Sequence, residues 1–242
     1  MNKASANIRF YKNENGPVIG VTVRPVIEKG GLYFRDLTGD GRLAPYKDWR
    51  NTPAVRAASL AAELSADEKI GMLFVNSWKM GIYQEDRTKV DESGLLNEEI
   101  VEQDESIFNV EKTYGTTYTL KEMGIRHFIL RQNPGPGELA DWINQLNMVA
   151  EGTGHALPVM VLSNSRNEHG EIVFGMNDAA GVFAAWPGTL GIAAAVRGSG
   201  PELIDSFAEC IRREWDAVGM KKGYMYMADV MTDPRWQRSY GT

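Results

Sequence analysis

Three short apolar runs each end in a cluster of residues able to bind a polyhydroxylated ligand. "GIRHFIL" (124–130) leads into Arg131-Gln-Asn133, and "LPVMVLS" (157–163) into Asn164-Ser-Arg-Asn-Glu-His169. "GYMYMADVM" (223–231) carries Asp229 and leads into Asp233-Pro-Arg-Trp-Gln-Arg238. Arginine presents a planar fork of donors, Asn and Asp accept, and Trp offers an apolar ring face. With little glycine of the phosphate-cradling kind, the set suits a neutral polyol such as a sugar ring. The same residues also serve to cap helices and hold water at a sheet edge, and spacing alone does not choose between the two.

Other chemistries are less well served. Asp36-Leu-Thr-Gly-Asp-Gly41 begins like a calcium loop, with oxygen ligands at the first, third and fifth positions and Gly at the sixth. The twelfth position should be a carboxylate but is Lys47, with Asp48 one residue late, so a calcium site and a plain Asx/Gly turn both stay open. His127, His155 and His169 have no metal-like spacing, and no catalytic metal is expected. His169 lies between Glu168 and Glu171, an arrangement that acid/base chemistry and a solvated loop share. Ser163 and Ser165 lack a Gly-x-Ser-x-Gly elbow, so a serine hydrolase is not supported.

The elements that must position these clusters follow from periodicity. The first fifty residues are short apolar stretches broken by Gly and Pro, which predict one or two strands and a turn-rich approach. Pro53 suits a first helical turn, and Leu60, Leu64, Ile70 and Leu73 predict an apolar stripe. Ser65-Ala-Asp-Glu68 reads as a capping box, which would divide that stretch into two helices near Leu64. Leu139, Trp142, Ile143, Leu146 and Val149 share one helical face. A Gly-rich connection runs through Gly191. A further helix opens at Pro201, carries Leu203, Ile204, Phe207, Ala208, Ile211 and Trp215 on one side, and stops at Gly219. The order strand, helix, strand, helix, strand from residue 124 onward calls for an α/β fold with a parallel sheet and right-handed crossovers. A (β/α)8 barrel takes about 250 residues. With three strands and an abrupt end after the third, the chain reads as the opening portion of such a barrel.

Composition bounds the function. A hydrophobic fraction of 43% and a charged fraction of 24% over 242 residues belong to a folded globular protein and exclude wholesale disorder. Between Tyr83 and Tyr118 ten acidic residues face Arg87, Lys89 and Lys112, so this stretch carries more than the whole net charge of −6. It predicts a solvated insertion, and the want of a basic patch argues against nucleic acid. Cys210 is the single cysteine, so the fold does not depend on an intrachain disulfide. "MNKASANIRFYKNENG" lacks the apolar core of a signal peptide, and no window approaches a membrane span. Compartment and oligomeric state stay open.

Several of these stretches together resemble the N-terminal domain of glycoside hydrolase family 3, which includes β-glucosidases and β-xylosidases. They are "LPVMVLSNSRN", then "WPGTLGIAAA" with "PELIDSFAECIRREWDAVGM", then "YMADVMTDPRWQRSYGT". "LSADEKIGMLF" is similar to a helix of that family, and "YKDWR" to the lead-in of one bacterial branch. The family pattern ends a strand in "DPRWGR", the most specific of these matches.

The resemblance implies a TIM-like barrel truncated after about three strands. Residues 1–54 would be an N-terminal extension, and 55–242 a partial barrel domain with an acidic insertion at 83–118. It also implies a retaining, exo-acting enzyme that needs no cofactor and releases terminal β-D-glucose from β-glucosides or short β-glucans. Arg238 matches the Arg that holds hydroxyls of the innermost sugar. Asn164 stands where the family has an Asp, with Arg166 and Glu168 beside it to compensate, and Gln237 replaces a Gly. Trp186-Pro187 matches a Phe-Pro that supports the loop. The nucleophilic carboxylate, the acid/base and a Lys-His sugar-binding pair are expected beyond Thr242, so the 242-residue chain is expected to be inactive alone. Asn164 in place of Asp leaves a second reading, a degenerate sugar-binding relative without hydrolysis. A third is an unrelated open α/β domain with a local likeness.

Overall fold

The first fifty residues form two antiparallel hairpins in the computed structural model, which describes residues 8–102, 113–130, 132–163, 167, 183–223 and 232–236. β1 (Arg9–Tyr11) pairs with β2 (Ile19–Val21), and β3 (Val26–Lys29) with β4 (Leu32–Arg35). The tight turn of the second hairpin needs positive φ at both central residues, and Gly30 and Gly31 supply it at +61° and +74°. Asn13 ties the hairpins together. Its Nδ2 donates to the Pro17 and Tyr33 carbonyls, and its Oδ1 accepts from the Tyr33 N–H. Ile19, Val21, Ile27 and Phe34 are buried, and Trp49 stacks on Phe34 at 5.6 Å.

The chain then divides near Leu64, as its capping box predicts. α1 (Pro53–Glu63) is capped by Thr52, whose side chain accepts from the Val55 N–H. α2 (Ala66–Leu73) has the full capping box of Ser65 and Glu68. Glu68 also meets His155 Nδ1 at 2.6 Å. Burial pushes the Glu68 carboxyl up, but the Ser65 amide and His155 outweigh it and hold the group below its ordinary value.

The predicted stripe on α2 is not the buried one. Ile70 is 52% and Leu73 83% exposed, whereas Gly71 is buried. A Cβ on Gly71 would lie 2.3 Å from the Met123 carbonyl oxygen and 2.7 Å from the Gly124 carbonyl carbon. The helix therefore packs backbone to backbone on the turn at 123–124 and turns its larger side chains outward.

The acidic stretch also departs from expectation, because part of it is core. Leu95 and Leu96 are 2% and 0% exposed, and Met80 and Leu96 form an antiparallel bridge. Asp91 closes the turn before them by accepting from the Leu96 N–H and the Ser93 hydroxyl. Its acids thus flank a small apolar plug. Thr116, Thr119 and Leu120 of α3 (Thr116–Lys121) are fully buried as well.

The chain is mixed α/β, and its main sheet is a parallel one of four strands in the order β5-β6-β7-β8. The strands are β5 (Val75–Trp78), β6 (His127–Leu130), β7 (Met160–Ser163) and β8 (Lys222–Gly223). β6 and β7 lie inside their predicted apolar runs, each starting three residues in, and β8 starts one residue before its run. β5 is an addition at one edge: "FVNSW" abuts α2 with only one residue between, so its apolar residues merge with the helical pattern. α4 (Pro136–Glu151) follows β6, and its stripe is buried at Leu139, Trp142, Ile143 and Leu146, with Ala150 rather than Val149 completing it. α5 (Thr189–Ser199) begins at the end of the expected Gly-rich connection, two residues before its limit at Gly191, and is a helix that the sequence reading did not include. It packs on α6 (Glu202–Val218), which ends at Gly219 in the left-handed conformation, φ 90°.

By compactness the chain falls into two units. One holds Met1–Asn76, Met80–His127 and Asn144–Val159; the other holds Ser77–Lys79, Phe128–Ile143 and Met160–Thr242. Among the described residues, no helix is long and apolar enough to cross a membrane.

Candidate functional site

β7 and β8 run parallel with Leu162 opposite Lys222 and Ser163 opposite Gly223. Both strands therefore point the same way, toward the carboxyl edge where parallel α/β folds bind ligands. Asn164, Arg166 and Arg238, the predicted sugar-binding residues, lie outside the described residues, as do Arg131, Glu168, His169, Glu171, Asp229 and Gln237. What the structure does place in the run after β7 is one residue.

That residue is Asn167, which is 0% exposed. Its Nδ2 donates to Glu214 Oε2 at 2.6 Å and to the Ala184 carbonyl at 3.1 Å. Its Oδ1 accepts from Trp215 Nε1 at 3.1 Å, and its own carbonyl accepts from the Trp186 N–H at 2.6 Å. The amide has one possible orientation here, since indole can only donate and a carboxylate can only accept. Glu214 completes the ring by accepting from the Ala184 N–H at 3.1 Å. Trp186 packs on Phe207 with ring centroids 5.2 Å apart.

Asn167, Ala184 and Trp186 are thus fastened to α6. Sequence reading had Asn167 only as one member of a polar run and Trp215 as part of an apolar stripe. The pairing spans 48 residues, and no local spacing announces it.

Asp233-Pro-Arg-Trp236 is a closed turn. Arg235 donates from its backbone N–H and Nε to Asp233 Oδ1, and from Nη2 to Oδ2 at 2.5 Å. The Trp236 N–H reaches the Asp233 carbonyl at 3.1 Å. The Arg235 guanidinium holds the Asp233 carboxyl below its usual range. Arg235 and Asp233 hence satisfy each other.

The loop that begins like a calcium site holds a cation of another kind. Lys47 Nζ donates to Asp36 Oδ1 at 2.7 Å, Thr38 Oγ1 at 2.6 Å and Asp40 Oδ1 at 2.5 Å. The Gly39 and Gly41 amides donate to the two Asp36 oxygens. Burial would raise the Asp36 carboxyl, but Lys47 and the two amides prevail and lower it. Hydrogen bonding from Lys47 holds Asp40 well below the carboxylate range. Burial would lower the Lys47 ammonium, yet Asp36 and Asp40 raise it above its ordinary 10.5.

The signs predict two limits on stability. The carboxylates contribute fully above their unfolded value near 3.8, and that contribution is lost as the pH falls through their lowered folded values. The ammonium contributes fully below 10.5 and loses its share as the pH rises through its raised folded value. The gap between the thermal midpoints of the wild type and Lys47→Met, measured from pH 2 to pH 12, should narrow toward both ends. A constant gap across that range would contradict the assignment. Among the described residues, no group of three or more His, Cys, Asp or Glu side chains is placed to hold a metal ion.

No protein-family model matches the chain. Curated relatives do. The chain is 32% identical over 219 residues to a periplasmic β-glucosidase/β-xylosidase of Dickeya chrysanthemi, covering 90% of this chain and 30% of that protein. It is 28% identical over 223 residues to a probable β-glucosidase C of Aspergillus flavus, covering 92% of this chain and 31% of that one. To β-glucosidase C of Emericella nidulans it is 29% identical over 188 residues, 77% of this chain and 26% of the relative. The chain spans about three-tenths of the length of the curated relatives it matches. Over the greater part of its own length, the chain is a homologue of β-glucosidases.

Proposed function

We propose that the chain is the N-terminal barrel part of a retaining, exo-acting family 3 glycoside hydrolase that releases terminal β-D-glucose. Residues 55–242 form the partial barrel domain and 1–54 its extension. Asn164, Arg166 and Arg238 bind the innermost sugar. The observation that carries this is the homology to β-glucosidases along nine-tenths of the chain. The parallel register of β7 and β8 supports it, because parallel α/β folds bind ligands at the carboxyl edge of the sheet. With Arg235 tied to Asp233, Arg238 is the arginine of the motif assigned to the ligand. The retaining pair of carboxylates, about 5 to 5.5 Å apart, is supplied by the parts of the relatives that this chain does not span.

Calorimetric titration of the 242-residue chain with glucose tests this. Binding is expected, weakened about 10- to 150-fold in Arg238→Ala, the loss of a hydrogen bond to a charged donor. An unchanged Kd in that variant would remove Arg238 from the site. Turnover of an aryl β-glucoside by the chain alone would show that its catalytic carboxylates lie within it.

Asn164 in place of the family's Asp favours a second reading, a sugar-binding relative without hydrolysis. An Asn164→Asp variant of the protein with the parts its relatives possess decides between them. Activity already present with Asn164 excludes the second reading, and none with either residue supports it.

A further inference from the structure

We infer that the Lys47 ammonium is the resident cation of the Asp36–Lys47 loop, standing where a divalent metal ion would sit, and that Lys47→Glu converts the loop into a calcium site. Counting from Asp36, the loop offers oxygens at its first, third and fifth positions (Asp36, Thr38 and Asp40) and Gly41 at the sixth. Lys47 is the twelfth. In a calcium loop all of these ligands converge on one ion, and the twelfth residue is a bidentate Glu. Here the first, third and fifth converge on Lys47 Nζ at 2.5–2.7 Å. Calcium–oxygen distances are about 2.3–2.6 Å, so an ion needs little contraction of the same cage.

A seated cation, not the acidic residues alone, is what marks the place. The Lys47 side chain is 0% exposed and that of Asp36 is 2% exposed. Its three N–H donors match three acceptors, leaving none unmet. Charge gives an independent check. The wild-type cluster of two carboxylates and one ammonium carries one net negative charge. Lys47→Glu with bound Ca2+ carries the same.

The loop also has a structural task. It follows β4 and precedes α1, the Asp36 N–H donates to the Pro25 carbonyl, and the Thr38 carbonyl accepts from Arg24 Nη1. Its cation therefore clamps the second hairpin onto the approach to α1. By tethering that cation, the chain makes the clamp independent of metal supply.

Calorimetry with CaCl2 and thermal unfolding in EDTA or millimolar CaCl2 test the inference on the full 242-residue chain. The wild type is expected to bind no calcium and to unfold at the same temperature in both buffers. Lys47→Glu should unfold about 6 to 15 °C lower in EDTA, from the loss of a buried ion pair, and regain most of that in CaCl2. Stoichiometric calcium binding by the wild type would overturn the inference, as would a folded Lys47→Glu indifferent to calcium. Should Lys47→Glu not fold, Lys47→Met, uncharged and of similar shape, keeps the test open. Its midpoint is expected to fall while that of the exposed control Lys29→Met does not; an unchanged Lys47→Met overturns the assignment.

Discussion

Asn167→Ala is expected to lose about 1–3 kcal/mol of folding stability, because the buried Trp215 N–H loses its partner, whereas half-buried Glu214 and exposed Ala184 can turn to water. Trp215 is only 5% exposed, so its indole N–H has no water to turn to once Oδ1 is gone. The Ala184 carbonyl loses its donor, while Glu214 keeps the Ala184 N–H. Urea unfolding measures the change through the shift in midpoint at constant slope. Trp215→Phe removes the donor from the other side and should cost less, since Asn167 retains Glu214 and Ala184. The cycle through the double variant isolates the coupling.

Asn167→Asp separates hydrogen bonding from packing. It preserves the acceptor for Trp215 but sets a carboxylate against Glu214 Oε2, where the amide donated at 2.6 Å. Its penalty should be largest at neutral pH and shrink in acid, as a shared proton restores the donor. Asn167 lies three residues after Asn164 and next to Arg166, so, on the sugar-binding roles proposed for those two, sugar affinity should fall alongside stability. Under 1 kcal/mol for Asn167→Ala would mean that water replaces the amide.

Gly71→Ala is the second large effect, and here two principles predict opposite signs. Helix propensity alone favours Ala over Gly by about 1 kcal/mol. The Cβ, however, would come within 2.3 Å of the Met123 carbonyl oxygen and 2.8 Å of that of Gly124. Both are backbone atoms, so no side-chain rotation relieves them. Gly124 itself sits at φ +66°, which makes the turn hard to rebuild. Overpacking of this kind costs about 1–3 kcal/mol and occasionally more. With two backbone clashes we expect the upper end, about 3 kcal/mol net destabilisation, by thermal or urea unfolding. Gly137 is the internal control, because its added Cβ would meet nothing within 4 Å. Gly137→Ala should be neutral or stabilising, and a Gly71→Ala that behaves likewise would refute backbone contact at 123–124.

Which features were legible in the sequence follows from the range of the forces involved. The α1/α2 division was readable because a capping box acts over three residues, Ser65 to Glu68. The stop of α6 was readable because only a residue tolerant of φ 90° fits at Gly219. The existence of β6 and β7 and the buried face of α4 were readable because apolar pattern records burial directly, although both strands start three residues into their runs.

Other features depended on partners far away in the chain. Ile70 and Leu73 have the spacing of core residues, but Gly71 packs inward against a turn some fifty residues on, and they face out. Leu95 and Leu96 looked like members of an acidic, solvated stretch until the bridge to Met80 enclosed them. β5 was hidden against α2, and its identity as a strand rests on pairing with β6.

By itself the sequence determined the α/β class, the division of its N-terminal helices, and a likeness to β-glucosidases carried by short motifs. All of these rest on local pattern, composition or direct matching of residues. Only the tertiary structure decided that the loop at Asp36 holds an ammonium and that Asn167 is bonded to Glu214 and Trp215 of α6. Both depend on which groups share a buried, low-dielectric space, where each donor must find its acceptor. Lys47 in the linear chain is a failed calcium ligand; folded, it is the cation.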